Sequence, residues 1–307
     1  MISRRRFLTI AAAAAALPAP LRAQPLYQWR GVALGANAAI TLAHPQAEAI
    51  VTRARAEIAR LERIFSLHDP ASALARLNHD GRLAAPPFEL LECLSLAGRA
   101  HAATGGRFDP TIQPLWAEYA RAHAAGTTPS VKALAAITGR VGWDGVRFGP
   151  DAVSLDRPDM ALSLNGIAQG FIADKVASLL RAEGLTDILI DTGEHRALGG
   201  RPGGGGWPIT LDDGQRLHRD AVALRDLALA SSAPHGITFD TGGQISHILD
   251  PATGTPAPAH WRLISVTAPQ AGLADALSTA FCLMPREAID TTLAAFEGAA
   301  LVHARRA

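Results

Sequence analysis

Between Ser246 and Phe281 the chain reads SHILDPATGTPAPAHWRLISVTAPQAGLADALSTAF. Three local structures must follow one another there with little slack. Asp250-Pro251-Ala252-Thr253-Gly254 is a turn, since proline fixes one backbone angle and glycine admits left-handed geometry. The run through SVTA predicts a strand. A helix from Ala274 onward then puts Asp275 and Thr279 on one face, one turn apart. A carboxylate and a hydroxyl so placed are hard oxygen donors, suited to Mg²⁺ and poorly suited to zinc. The plain alternative is that Asp275 is a cap or a first-turn acid.

Helical and strand patterns both recur along the rest of the chain, and the fold expected is α+β. The patterns alone do not fix its topology. Gly31–Leu42 alternates loosely and reads as a strand. Ala47–Phe65 reads as a long helix with Ile50, Ala54, Ile58, Leu61 and Ile64 on one stripe. Ser72 caps a short helix through Leu77, and Asn78–Gly81 reads as a turn. Pro87–Thr104 is a helix closed by Gly105-Gly106. Phe108–Trp116 is a turn fixed by Pro110 and Pro114, in which Asp109 either bonds Thr111 locally or takes part in a site. Ser130–Thr138 is a helix, and Gly142–Leu155 carries two short strands. Leu185–Asp191 and Leu227–Ser232 are strands, and Arg286–Gly298 is helical.

Ala161–Asn165 reads as a strand that runs into Gly166-Ile167-Ala168-Gln169-Gly170 and then a helix from about Gly170 to Glu183. Strand, glycine turn and helix N-terminus make an anion site, because backbone N–H groups and the helix dipole face the ligand. Close packing explains the same glycines. Gly203–Gly206 is not a phosphate-binding loop, since no Lys-Ser or Lys-Thr follows; it reads as a hairpin loop.

Ser3–Leu8 is a twin-arginine segment, followed by an alanine-rich run to Leu17 and a cleavage position after Ala23. The run is too short to span a bilayer and reads as an export signal over residues 1–23, which gives a periplasmic protein. Removing Arg4, Arg5, Arg6 and Arg22 from 29 basic residues leaves 25 against 28 acidic ones, a net charge of −3. That gives no electrostatic case for nucleic acid or an acidic membrane surface. Cys93 and Cys282 form no CxxC, which argues against a zinc site or redox dithiol. Each sits in an apolar helical pattern and reads as a buried free thiol, with a pairing of the two in the periplasm as the alternative.

Several motifs, in order, resemble those of the ApbE family, the FAD:protein FMN transferases. HILDPATGTP with SVTA and ADALSTAF is similar to its C-terminal signature. FSLHDPASALARLN (Phe65–Asn78), GGRFDPTIQPLW (Gly105–Trp116), LSLNGIAQGFIADK (Leu162–Lys175) and the turn at Gly193, Glu194, Arg196 and Gly199 are similar to its other segments. The resemblance covers residues 24–307 as one domain and implies an ApbE-like, T-fold-related architecture, with strands in mixed or antiparallel sheets flanked by helices and a site between them. It implies FAD as substrate, bound by Asp109, Gly166, Ala168, Gln169, Asp174, Gly193 and Asp250. The loop of His68 and His79 would border the flavin. Mg²⁺ would be held by Asp275, Thr279 and the main-chain carbonyl of Ala168, and His247 would be the general base. FMN would pass to a threonine or serine hydroxyl of another protein, with AMP released. Acceptors would resemble the flavin-carrying RnfG and NqrC subunits or a NosR-like membrane protein, which would supply the only membrane contact; the export signal leans towards a NosX-like member.

Three positions depart from that pattern: Gln169 stands where lysine is usual, Ser163 for aspartate, and Thr192 for the first glycine of a pair. Gln169 and Ser163 keep a non-catalytic flavin-binding protein in view, and a metal-dependent FAD pyrophosphatase, in which water replaces the threonine, is a second rival reading. No nicotinamide fingerprint is visible.

Overall fold

The computed structural model describes residues 24–212, 220–240 and 242–307. The export signal expected over residues 1–23 lies outside them. The fold is α+β, and among the described residues every strand pairing is antiparallel. A seven-stranded sheet has the order β1 (Tyr27–Ala33), β2 (Ala36–Leu42), β6 (Ile188–Asp191), β7 (His195–Leu198), β10 (Ala228–Ser232), β11 (Trp261–Ala268), β12 (Ala300–Arg306). A small sheet holds β3 (Arg82–Ala84), β5 (Ala152–Leu155) and β4 (Val146–Phe148), and a two-stranded ribbon holds β8 (Trp207–Leu211) and β9 (Asp220–Leu224).

The register explains which face is buried. Ile40 sits opposite Ile190 and Leu42 opposite Ile188, and all four are almost fully buried. A strand alternates faces every residue, so this side takes the helices. There α1 (Ala47–Phe65), α3 (Phe88–Ala103), α6 (Ala168–Ala182) and α7 (Ala271–Phe281) close the main core. The opposite face of β7, β10 and β11 offers Ala197, Leu229 and Leu263, and the β8–β9 ribbon covers them with Trp207, Ile209 and Leu211. A third, separate core joins α4 (Gln113–Ala124) to the segment before Pro256 through Leu115, Tyr119, Phe239 and Leu249.

Helix α7 is apolar nearly all round and buried nearly all round. Every residue from Ala271 to Phe281 is buried except Thr279. Helix α6 crosses it at a glycine: a Cβ at Gly170 would stand 2.3 Å from the Ala271 carbonyl oxygen. Only glycine allows the two backbones so close.

Several elements differ from the sequence reading, each for a local reason. Gly31–Leu42 is not one strand. Leu34 and Gly35 take positive φ (46° and 81°) and make a two-residue hairpin turn between β1 and β2, the turn that suits the twist of paired strands. Asn78–Gly81 is not a separate turn, because α2 (Ala73–Asp80) continues to Gly81, which caps it at φ 67°. Phe108–Trp116 passes through one turn of 3₁₀ helix into α4, with Pro114 in the first helical turn where its missing N–H costs nothing. Ala161–Asn165 is not a strand. The Asn78 side chain brackets Leu162 instead, its Nδ2 donating to the Leu162 carbonyl at 2.8 Å and its Oδ1 accepting from Leu162 N at 2.7 Å. Gly203, Gly204 and Gly205 take positive φ in a loop, but it joins strands of two different sheets and is not a hairpin. α7 starts at Ala271, before Ala274; the C-terminal helix α8 stops at Leu293 and is followed by the unexpected edge strand β12. Both cysteines are buried free thiols.

Candidate active site

The site is built where α6 and α7 cross. Gly166 lies just before α6, against α7: a Cβ there would meet Thr279 Oγ1 at 3.1 Å and the Phe108 ring at 3.4 Å. Ala168 is the first residue of α6, and the Ile167 side chain before it gives no cap. Asp275 Oδ2 accepts from Gly170 N at 3.4 Å, a long bond. Thr279 thus stands against Gly166 and Asp275 against Gly170, the two glycines on either side of Ala168 in the chain.

Asp275 is buried with 4% exposure. Burial pushes its carboxyl up to about 8, opposed only by the Gly170 N–H. Glu194, on the turn into β7, is buried too. Burial pushes it well above the carboxylate range, and the neighbouring charges of Asp275 and Asp191 push in the same direction, against one N–H from Ser231 at 3.2 Å. Among the described residues no lysine or arginine offsets either group. Thr279 Oγ1 has a weak contact at 3.5 Å with Ser232 Oγ, which itself pairs with Ser278 Oγ at 2.8 Å.

This donor set fits a hard cation. A buried carboxylate that lacks a countercharge holds its charge only beside positive charge. Among the described residues no three His, Cys, Asp or Glu side chains cluster as metal ligands. A cation at Asp275 would rely on one or two carboxylates, a hydroxyl, a carbonyl and its ligand's oxygens, which is the habit of Mg²⁺ and not of zinc.

Asp174 has a different place. Its two oxygens accept from Ala271 N at 2.9 Å and Gly272 N at 3.0 Å, capping α7. Arg196 Nε lies 3.2 Å from Oδ1 as a charge contact whose N–H is not aligned for a hydrogen bond. Both oxygens are therefore engaged within the protein. Gln169 lies over Gly193, where a Cβ would be 2.9 Å from its carboxamide. The Thr192 hydroxyl donates to the Gln169 carbonyl at 2.8 Å. Two of the three departures from the family pattern are thus in contact. The third, Ser163, donates from its backbone to Pro110 O at 2.7 Å.

A second arm, 233–257, carries His247 and Asp250. His247 Nδ1 lies 2.8 Å from the Ile237 carbonyl. A carbonyl can only accept, so Nδ1 holds the proton and Nε2 is left as the basic atom. Burial pushes this imidazole below its usual range, against the Ile237 and Pro234 carbonyls. Asp250 Oδ1 accepts from Ala252 N at 2.9 Å, and Oδ2 pairs with Arg107. Asp109 makes the local turn foreseen from sequence, accepting from Thr111 N at 2.9 Å and from its hydroxyl at 2.6 Å. His68 lines an open cavity of about 420 Å³ with Leu34, Glu62, Asp69 and Asn165, whereas His79 pairs with Asp80 at 2.7 Å.

Sequence reasoning gave Glu194 and Arg107 no role. Glu194 left one signal, its place in the Asp191-Thr192-Gly193-Glu194 turn after a strand. Arg107 left another, a lone cation between two glycines and an aromatic.

A buried acid without a countercharge and a hydroxyl thus stand together against a glycine-lined helix start. The ApbE family model matches residues 34–302, and the chain belongs to that family. The FAD:protein FMN transferase of Klebsiella pneumoniae (strain 342) is 27% identical over 273 residues, covering 84% of this chain and 76% of that protein. That of Haemophilus influenzae is 28% identical, with 77% and 70% covered. Among solved structures, the ApbE protein of Thermotoga maritima superposes with a TM-score of 0.81 at 24% identity, over 92% of this chain and 97% of that one. The flavinyl transferase ApbE of Pseudomonas stutzeri gives 0.77 at 24%, over 88% of each.

Proposed function

We propose that this chain is a FAD:protein FMN transferase that uses Mg²⁺, acts on a threonine or serine hydroxyl of a separate protein and releases AMP. The observation that carries the reading is the buried Asp275, without a countercharge, beside Thr279 at the start of α6. The family's curated relatives carry the activity in their names.

The hydroxyl oxygen attacks the FMN-side phosphorus of FAD. A new P–O bond forms, the pyrophosphate P–O bond breaks, and AMP leaves with the electron pair. His247 Nε2 takes the hydroxyl proton, while the Ile237 carbonyl holds the ring in the required tautomer. Asp275, Thr279 and the Ala168 carbonyl would hold Mg²⁺, which neutralises charge building on the phosphate oxygens. The Gly170 N–H at the α6 N-terminus points to Asp275, and the helix dipole there favours an anion. Gly166 keeps that approach open, since a side chain there would press on Thr279.

The acceptor is a flavin-carrying protein of the RnfG, NqrC or NosR kind, met after export by the twin-arginine segment. N-terminal sequencing of the exported protein checks the second point, with Gln24 as the expected first residue.

The deciding measurement is the mass of a threonine-containing acceptor domain after incubation with FAD and Mg²⁺, with Asp275→Ala as control. A gain of one FMN that disappears in the control is expected. AMP and FMN released with no mass gain would make the protein a pyrophosphatase. FAD left intact across several acceptors would make it a binding protein.

A further inference from the structure

Arg107 and Phe108 stand where the two arms of the site meet. The Phe108 ring lies against Gly166, beside the Thr279 hydroxyl. One residue earlier, Arg107 Nη1 donates to Asp250 Oδ2, three residues after His247. The turn is built for this. Gly105 and Gly106 both take left-handed φ (57° and 82°) as the chain leaves α3. Phe108 is then fixed on both sides, its N–H donating to Thr104 Oγ1 at 3.0 Å and its carbonyl accepting from His101 Nδ1 at 2.9 Å.

Ile248 and Ala257 of the His247 arm pack in the main core by apolar contact alone, and its other anchors lead to α4. Tyr119 OH donates to the Gly254 carbonyl at 3.1 Å. Phe239 stacks on Tyr119 at 5.4 Å and packs on Trp116 at 5.3 Å. These groups belong to α4 and its separate small core. The Arg107–Asp250 pair therefore ties the arm to the turn that touches Gly166 and Thr279.

We propose that Arg107 is a positioning residue for the transfer: by holding Asp250 it sets the His247 arm at a fixed place relative to the Gly166–Thr279 side. The proposal rests on His247 as the base. The pair is partly exposed, 38% at Arg107 and 15% at Asp250, and partly exposed pairs add little to global stability. A shift of about 1 Å in a reacting group can cost about 10²-fold in rate. Rate and stability should therefore separate.

The test uses Arg107→Ala, Arg107→Lys, His247→Ala and the double variant Arg107→Ala/His247→Ala. Single-turnover transfer, melting temperature and amide hydrogen exchange over 245–250 are measured on each. Arg107→Ala is expected to slow transfer by about 10–100-fold, to leave melting nearly unchanged, and to speed exchange in 245–250. Arg107→Lys keeps the charge and recovers most of the rate. In the His247→Ala background the Arg107 change adds nothing further. Wild-type rate in Arg107→Ala, a melting temperature that falls with the rate, or a full multiplicative loss in the double variant overturns the proposal. If His247→Ala itself leaves the transfer step intact, the base assignment fails separately. Exchange over 245–250 then decides alone: unchanged protection in Arg107→Ala ends the positioning role, and faster exchange sustains it.

Discussion

Helices α6 and α7 exchange carboxylates at their crossing, and the two ends are not equivalent. Asp174 of α6 caps the start of α7 with two short bonds and has Arg196 beside it. Asp275 of α7 faces the start of α6 with one long bond and has another buried acid, Glu194, as its charged neighbour. Burial raises both carboxyls. The Ala271 and Gly272 N–H groups, Arg196 and Lys175 pull Asp174 back, whereas only the Gly170 N–H opposes the rise at Asp275. The same residue type in near-symmetric places thus serves two ends. One is a joint complete within the protein. The other is complete only with a proton or a cation, and that incompleteness marks the site.

The contrast is broken most sharply at Asp275. Asp275→Ala is expected to lower transfer by about 10²–10³-fold or more, the scale of losing one group that stabilises transition-state charge. The melting temperature of the cation-free protein should not fall. A fall in melting with transfer retained would make Asp275 the joint instead. Asp174→Ala should behave in the opposite way. It leaves Arg196 buried without its partner and two N–H groups uncapped, a loss of about 3–5 kcal/mol. Denaturant titration reads it directly, and an unchanged midpoint would remove the distinction.

Next in size is the response to pH. Asp275 has a folded value of about 8 against an ordinary 3.8, so between those limits the folded state binds the extra proton. Stability of the cation-free protein must then fall as pH rises from about 4 to 8, at about 1.4 kcal/mol per unit at most. Asp275→Asn should flatten that slope and raise melting at pH 8, and Mg²⁺ should raise the wild type there but not the variant. Equal slopes in the two proteins would show that Asp275 is not the group titrating.

The difference between the two acids was only half legible in the sequence. Asp275 and Thr279 four residues apart gave the shared face. Nothing local showed that α7 would be buried on every side, because that depends on α3, α6 and the sheet closing around it. Asp174 read as a helix charge near a flavin, since its partners Ala271, Gly272 and Arg196 lie on other elements. Periodicity fixed α1 almost to the residue, as expected of a long amphipathic stripe. It failed at Ala161–Asn165, whose hydrogen bonds go to an asparagine side chain and to Pro110 in place of a strand. It failed also at β12, a half-exposed edge strand with no apolar alternation to show it. The hairpin turn at Leu34-Gly35 was missed because leucine seldom takes positive φ. Glu194 and Arg107 gained their meaning only from neighbours distant in sequence.

The smallest effect lies at the start of α6, where the Thr192 hydroxyl ties the Gln169 carbonyl to the β6–β7 turn. Thr192 is fully buried. Thr192→Val keeps its shape and removes one neutral hydrogen bond, so it should cost about 1 kcal/mol. The same turn carries Gly193 beneath Gln169 and Glu194 beside Asp275, so a loosened turn would reach both. If α6 is held chiefly by its crossing with α7, as the Gly170 approach implies, Thr192→Val should lower the melting temperature slightly and change the rate of transfer by no more than about fivefold, since one such bond is worth about 1 kcal/mol in total. A rate loss comparable to that of Asp275→Ala would move the centre of the site from the helix crossing to the β6–β7 turn, and the Asp174–Asp275 contrast would then be secondary to it.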